Sequence, residues 1–214
     1  MSQRAEKLAA LHRDILACRA CQQAGCIETA QPVVSLAYSP SKLRSAAGRA
    51  MLIGQAPGQV EQAAGAPFAG RAGCALFRWF ERIGWHEAAF RRHVYITSVT
   101  KCFPGKALTG GGDRPPSPAE IRLCRPWLER QLETIEPGLI VLVGRLAIEL
   151  YLPGRSLDAV VGEVFARDGR QVLPLPHPSG ASRWLNAPAN QTRLDRALDL
   201  LREQLGAPPE DATA

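Results

Sequence analysis

Three groups of residues in this chain have types and spacings that can do chemistry. The first is Gly54-Gln55-Ala56-Pro57-Gly58, which closes the apolar run Ala50-Met51-Leu52-Ile53. A strand that runs into a tight Pro/Gly turn presents backbone amides able to close on a flat ligand. The second, His177-Pro178-Ser179, follows another apolar run, Val172-Leu173-Pro174-Leu175. The third is the cysteines, six in all. Cys18 and Cys21 form a close pair, and Cys102 and Cys124 lie far along the chain on either side of a glycine-containing loop. Four thiolates can hold one 4Fe-4S cluster or one tetrahedral zinc, and unrelated buried thiols are the third alternative. The isolated later cysteines do not make the two-knuckle arrangement of a zinc ribbon. Cys26 and Cys74 have no obvious partner and read as packed thiols, with Cys26 an alternative to Cys21.

The elements that must position these groups alternate between strand and helix. Apolar residues at helical spacing (Leu8, Leu11, Ile15, Leu16) predict a helix over 5–17, and residues 29–49 predict an extended connection. Strands are expected at 49–53, 93–99 and 138–144, the last a continuous apolar run suited to a parallel strand covered on both faces. Strand-like pieces follow near 160–167 and 171–175. Helices are expected at 74–83, stopping at Gly84, at 145–150 and at 191–205. Ser117-Pro118-Ala119-Glu120 carries a serine cap, an early proline and a capping-box glutamate, so a further helix runs from there to about Ile135. Residues 103–116 read as a loop with Gly110-Gly111-Gly112 at its tip, and residues 207–214 as a disordered tail.

This alternation predicts a three-layer α/β/α sandwich around a mostly parallel four-stranded sheet, one domain over residues 1–206. In such folds ligands sit at the carboxyl ends of the strands, where 54–58, 97–98 and 177–179 all fall. With 214 residues, 46% of them hydrophobic, the chain can bury one sizeable core. No apolar run approaches the ~20 residues of a membrane span, so no membrane association is expected. The start of the chain leads into an amphipathic segment, so the expectation is a cytoplasmic monomer without a signal peptide. In that setting the cysteines argue against a disulfide scaffold. A net charge of +6 favours an anionic partner. Arginine supplies most of it, with Arg71, Arg78, Arg82, Arg91, Arg92, Arg114, Arg183 and Arg193 near or between the motifs, and such side chains suit phosphate oxygens.

Read in order, Gly54-Gln55-Ala56-Pro57-Gly58, Gly65-Ala66-Pro67-Phe68-Ala69-Gly70, Val94 to Cys102 and His177-Pro178-Ser179 resemble the uracil-DNA glycosylase superfamily, most closely its iron–sulfur branch. The resemblance covers roughly residues 15 to 205. It implies a DNA glycosylase that flips a deaminated base out of DNA and hydrolyses its N-glycosidic bond. It further implies a structural 4Fe-4S cluster on Cys18, Cys21, Cys102 and Cys124. The amides of Gln55 and Ala56, within the turn Gly54 to Gly58 that includes Pro57, would meet an oxygen of the base. Phe68 would stack on the base, His177 would donate to the same oxygen, and Ser179 would complete that motif. Arg71, Arg183 and Trp184 would contact DNA, the last as a wedge in the segment 180–186.

Two departures from the pattern matter. The iron–sulfur branch has glutamate where this chain has Gln55, and no carboxylate replaces it at Ala56. A neutral amide can orient water but is a very poor base, so Glu61 becomes the nearest candidate carboxylate. Where the family has asparagine to pair with the edge of uracil, this chain has Ser98, whose single short hydroxyl cannot supply a donor and an acceptor together. Altered base choice or lost activity both fit. A noncatalytic binder of damaged or single-stranded DNA and an enzyme of free nucleosides are the other readings.

Overall fold

The computed structural model describes residues 3–39, 49–109, 112–179 and 183–208. Gly110 and Gly111, the stretch 180–182 and the tail beyond 208 lie outside the described residues, as do residues 40–48 of the expected extended connection.

Apolar runs form the centre of the sheet. Strands β1 (Ala50–Gly54) and β3 (Leu139–Val143) are buried at every position, and so is β2 (Tyr95–Ser98). Successive side chains of a strand point to opposite faces, so full burial means that both faces are covered. The order is β2-β1-β3-β5-β4, with β5 spanning Arg170–Leu175 and β4 Phe165–Arg167. The four strands β2, β1, β3 and β5 pair in parallel, and β4 adds a fifth, antiparallel strand at the edge. The sheet therefore has five strands rather than four. The fifth strand falls within the strand-like piece expected near 160–167, of which Phe165–Arg167 pair with β5.

Helices α1 (Gln3–Ala17), α2 (Ala20–Gln23), α4 (Arg71–Glu81), α6 (Pro118–Ile135), α7 (Arg145–Tyr151) and α9 (Pro188–Leu205) surround the sheet. The cap of α6 forms as its sequence implies: Glu120 N donates to Ser117 Oγ at 3.3 Å and Ser117 N to Glu120 Oε2 at 2.6 Å. Two further short helices were not legible as helices. α3 (Gln59–Ala64) buries no side chain and so lacks an apolar stripe, and α5 (Glu87–His93) is a single stretch of seven residues ahead of β2. A third short helix, α8 (Leu157–Val160), precedes β4. The carboxyl ends of β1, β2 and β5 lie on one edge of the sheet, and they end at Gly54, Ser98 and Leu175.

A polar chain ties α1 to β2 beneath this edge. Thr97 Oγ1 donates to Gln131 Oε1 (3.0 Å), and Gln131 Nε2 donates to Tyr95 Oη (2.8 Å). Tyr95 Oη and His12 Nε2 are 2.9 Å apart. Burial lowers the His12 pKa to about 4, so its ring is neutral and accepts the tyrosine proton. Each of these three bonds pairs a buried donor with an acceptor, as burial of such groups requires.

Candidate active site

A cleft of about 330 Å³ opens at the carboxyl ends of the strands and brings together Gly54, Gln55, Ala56, Pro57, Gly58, Glu61, Phe68, Ser98, His177 and Ser179. All ten of the catalytic and base-contacting positions read from sequence therefore face one space. Among the described residues, the backbone N–H groups of Gln55 and Ala56 make no hydrogen bond within the protein, whereas the carbonyl of Gln55 is fixed by Thr100 N at 3.3 Å. The turn offers donors and holds them in place.

Phe68 is set by its backbone. It adopts φ 53°, a region unusual for a side chain larger than glycine. Three neighbours hold it there. A Cβ on Gly73 would lie 1.8 Å from the Phe68 carbonyl oxygen, and a Cβ on Gly54 would lie 2.8 Å from its ring. Both positions must be glycine for the ring to lie against the end of β1. Arg91 then donates to the carbonyls of Pro67 (2.7 Å) and Phe68 (2.8 Å), while Glu87 holds its Nε at 2.7 Å and its guanidinium stacks 4.5 Å over Phe77. Sequence alone places Arg91 among candidates for phosphate; its donors are instead spent on the protein's own backbone.

Glu61 is committed in the same way. Its Oε2 accepts from Gly58 N (3.0 Å) and its Oε1 from Gly70 N (2.7 Å). One carboxylate thus stitches the first motif to the turn that follows Phe68. With one oxygen on each of two backbone amides it positions both turns beside the cleft.

His177 is half-buried, and burial lowers its pKa below the ordinary histidine value. Its Nδ1 accepts from Ser179 N at 3.2 Å and lies 2.9 Å from Ser179 Oγ. A ring nitrogen that accepts an N–H cannot itself carry the proton, so the neutral ring bears its hydrogen on Nε2. Gly144, at φ 87°, lets the ring approach: a Cβ there would meet His177 Cδ2 at 3.0 Å.

Ser98 donates its hydroxyl to Thr100 O at 2.7 Å, so only its lone pairs are left for a ligand. Its carbonyl accepts from the Nζ of Lys101, a fully buried lysine.

The four cysteines expected to act together do converge. Cys18, Cys21, Cys102 and Cys124 line one small pocket with Ile27, Ala30, Pro32 and Leu123, whereas Cys26 and Cys74 do not reach it. Trp127 Nε1 donates to Cys18 Sγ and Lys101 N to Cys124 Sγ, each at 3.2 Å. Thr100 Oγ1, buried in the wall of the same pocket, finds no partner among the described residues. Burial and mutual repulsion push the Cys21 and Cys102 thiols up to about 12, and burial raises Cys124 as well. A cationic centre among them removes that penalty, so the donor set fits a Cys-ligated metal group. Among the described residues no three such side chains close on a point as a single ion requires.

The DNA-facing candidates divide. Arg71 and Arg183 are exposed. Trp184 packs against the core, and its Nε1 donates to Asp158 Oδ1 at 2.5 Å, which anchors it as a cover. It also forms one wall of an open groove beside Gln55, together with Arg145 and Arg155. Arg82 pairs with the exposed Asp195, and Arg114 is turned inward onto the buried Glu120.

A parallel sheet thus carries at its carboxyl edge a cleft lined by a turn of unclaimed amides, an aromatic ring and a neutral histidine, groups able to hold a flat polar ligand. The family profile described as uracil DNA glycosylase superfamily matches residues 40–202, and the chain belongs to that family. It is similar to the type-4 uracil-DNA glycosylases of Archaeoglobus fulgidus (36% identical over 138 residues) and Thermotoga maritima (34% over 134), covering 60% and 61% of this chain. These matches span 64% and 65% of those relatives, just under two thirds of their length. The type-4 protein of Saccharolobus solfataricus is 31% identical over 74% of this chain and 72% of its own. Among the described residues no helix is long and apolar enough to cross a membrane.

Proposed function

We propose that this chain is a monomeric base-excision DNA glycosylase that hydrolyses the bond between a deaminated base and deoxyribose. The observation that carries the reading is the joint placement of the Gln55 and Ala56 amides, the Phe68 ring and the His177 Nε2–H around one cleft. The base is flipped out of DNA and stacks on Phe68. As the glycosidic bond lengthens, negative charge builds on the base oxygen, where preorganised donors act most strongly. Gln55 orients water, and the exposed Arg71 and Arg183 contact phosphates.

Ser98 sets the choice of base in this scheme. As an acceptor only, it can meet an imino N–H but cannot distinguish bases as an amide would. Wild type is therefore expected to release uracil together with hypoxanthine or xanthine from single- or double-stranded oligonucleotides, read as alkali-labile breaks. Ser98→Asn is expected to raise the preference for uracil over hypoxanthine by about tenfold or more, as for a restored matching pair. An unchanged ratio would remove Ser98 from base selection. Gln55 and Ser98 also favour a second reading, a damage binder without chemistry, which predicts salt-sensitive binding of DNA and no abasic product.

The four thiols are read as ligands of one 4Fe-4S cluster with a structural role. When bound, such a group ties the α1–α2 junction to the ends of β2 and the first turns of α6. Protein purified without oxygen is expected to carry about four irons per chain. Cys102→Ser is expected to lose that iron and lower Tm by roughly 6–12 °C, taking ~3 kcal/mol for a lost long-loop cross-link. Stoichiometric zinc in place of iron would overturn the assignment.

A further inference from the structure

The cleft contains a second carboxylate that sequence reading passed over. Among the described residues its acidic lining groups are Glu61 and Asp113, and Glu61 has both oxygens on backbone amides. Asp113 belongs to the stretch between Cys102 and Cys124. There the chain turns back on itself: Lys106 and Asp113 form an antiparallel bridge, Ala107 N donates to Gly112 O (2.9 Å), and Arg114 N donates to Gly105 O (3.0 Å). The base of this hairpin is held firmly. Arg114 makes a two-pronged pair with Glu120 (2.7 and 2.8 Å) and reaches the carbonyl of Cys26 at 3.1 Å.

This folding brings Asp113 onto the first motif. Its Oδ2 stands only 2.8 Å from where a Cβ on Gly58 would be, so glycine there is what admits the carboxylate. Oδ1 is occupied by Lys106 Nζ at 2.8 Å, and no donor among the described residues bonds Oδ2. The side chain remains 38% exposed, open to water.

We propose that Asp113 is the catalytic carboxylate of this chain, supplying from the hairpin what Gln55 and Ala56 lack. The proposal rests on the glycosylase reading. A water held by Asp113 attacks C1′ of the sugar as the C1′–N bond breaks, and the bonding electron pair leaves with the base. The water oxygen becomes the hydroxyl of the abasic sugar. The proton it sheds passes to the Asp113 carboxylate and from there to the departing base, so the carboxylate is regenerated. Its negative charge also faces the positive character that develops on the sugar.

The exposed Lys106–Asp113 pair is of a kind that contributes little to stability, so Asp113→Asn and Asp113→Ser should both fold. Single-turnover release of uracil from an oligonucleotide is expected to slow about 100-fold in both, the usual scale of a lost general base. Affinity for an oligonucleotide bearing an uncleavable uracil analogue should stay within about threefold, because the loss falls on the transition state. Release by either variant within about threefold of wild type overturns the proposal, as does a loss confined to binding. Failure of the wild type to release any base is a different result, and overturns the glycosylase reading on which the proposal stands.

Discussion

Replacing His177 by alanine is expected to slow base release by 10²–10³-fold, the scale for deleting one preorganised donor to a developing oxyanion. The argument is one of tautomer and charge. Ser179 N donates to Nδ1, which leaves the ring hydrogen on Nε2, and burial keeps the ring from taking a second proton. The donor is therefore present before the base arrives, and no proton has to be taken up from solvent. The same depressed pKa has a sign for stability. Between the folded value and the ordinary histidine value the unfolded chain binds the proton more readily. The contribution of His177 is thus complete above the ordinary value and lost as pH falls through that window. Single-turnover kinetics of His177→Ala beside its affinity for uracil-containing DNA test the assignment. Comparable rates in mutant and wild type would exclude His177 from the chemistry.

Gly73→Ala is expected to be nearly as damaging, although residue 73 touches no substrate. Its Cβ would overlap the Phe68 carbonyl oxygen at 1.8 Å, a backbone atom with two hydrogen-bonded arms of Arg91 next to it. The turn cannot yield without breaking that clamp. Overpacking of this kind costs about 1–3 kcal/mol, which for a chain of this size lowers Tm by roughly 2–12 °C. The displaced ring also loses its place against Gly54, so base release should fall by about tenfold or more through lost positioning. Thermal unfolding and cleavage rates measured on the same preparation check both parts. A variant with unchanged Tm and rate would show that α4 can shift without moving Phe68.

The parts of this molecule that were legible in its sequence are those with a local signal. β1 and β3 are unbroken apolar runs, and α6 announces itself by the Ser117 to Glu120 cap. The first motif, Phe68 and His177 were legible through their order along the chain, and the structure places them around one cleft. What escaped depends on contacts between residues far apart. Nothing near Glu61 in sequence says that its second oxygen will meet Gly70, and nothing near Arg91 says that its guanidinium will turn to the carbonyls of Pro67 and Phe68. Asp113 escaped for the same reason. A loop rich in glycine gives no hint that it folds back onto Gly58, and only the absent Cβ at Gly58 could have raised the question.

The main chain at Ser98 is secured from two directions, by its register with Gly54 and by the buried Lys101 that holds its carbonyl, whereas its hydroxyl reaches no farther than Thr100. Fold and reading head are consequently decoupled at this position. On the proposed reading of Ser98 as the selector of the base, one exchange at position 98 changes that choice while the main chain of β2 keeps its anchors.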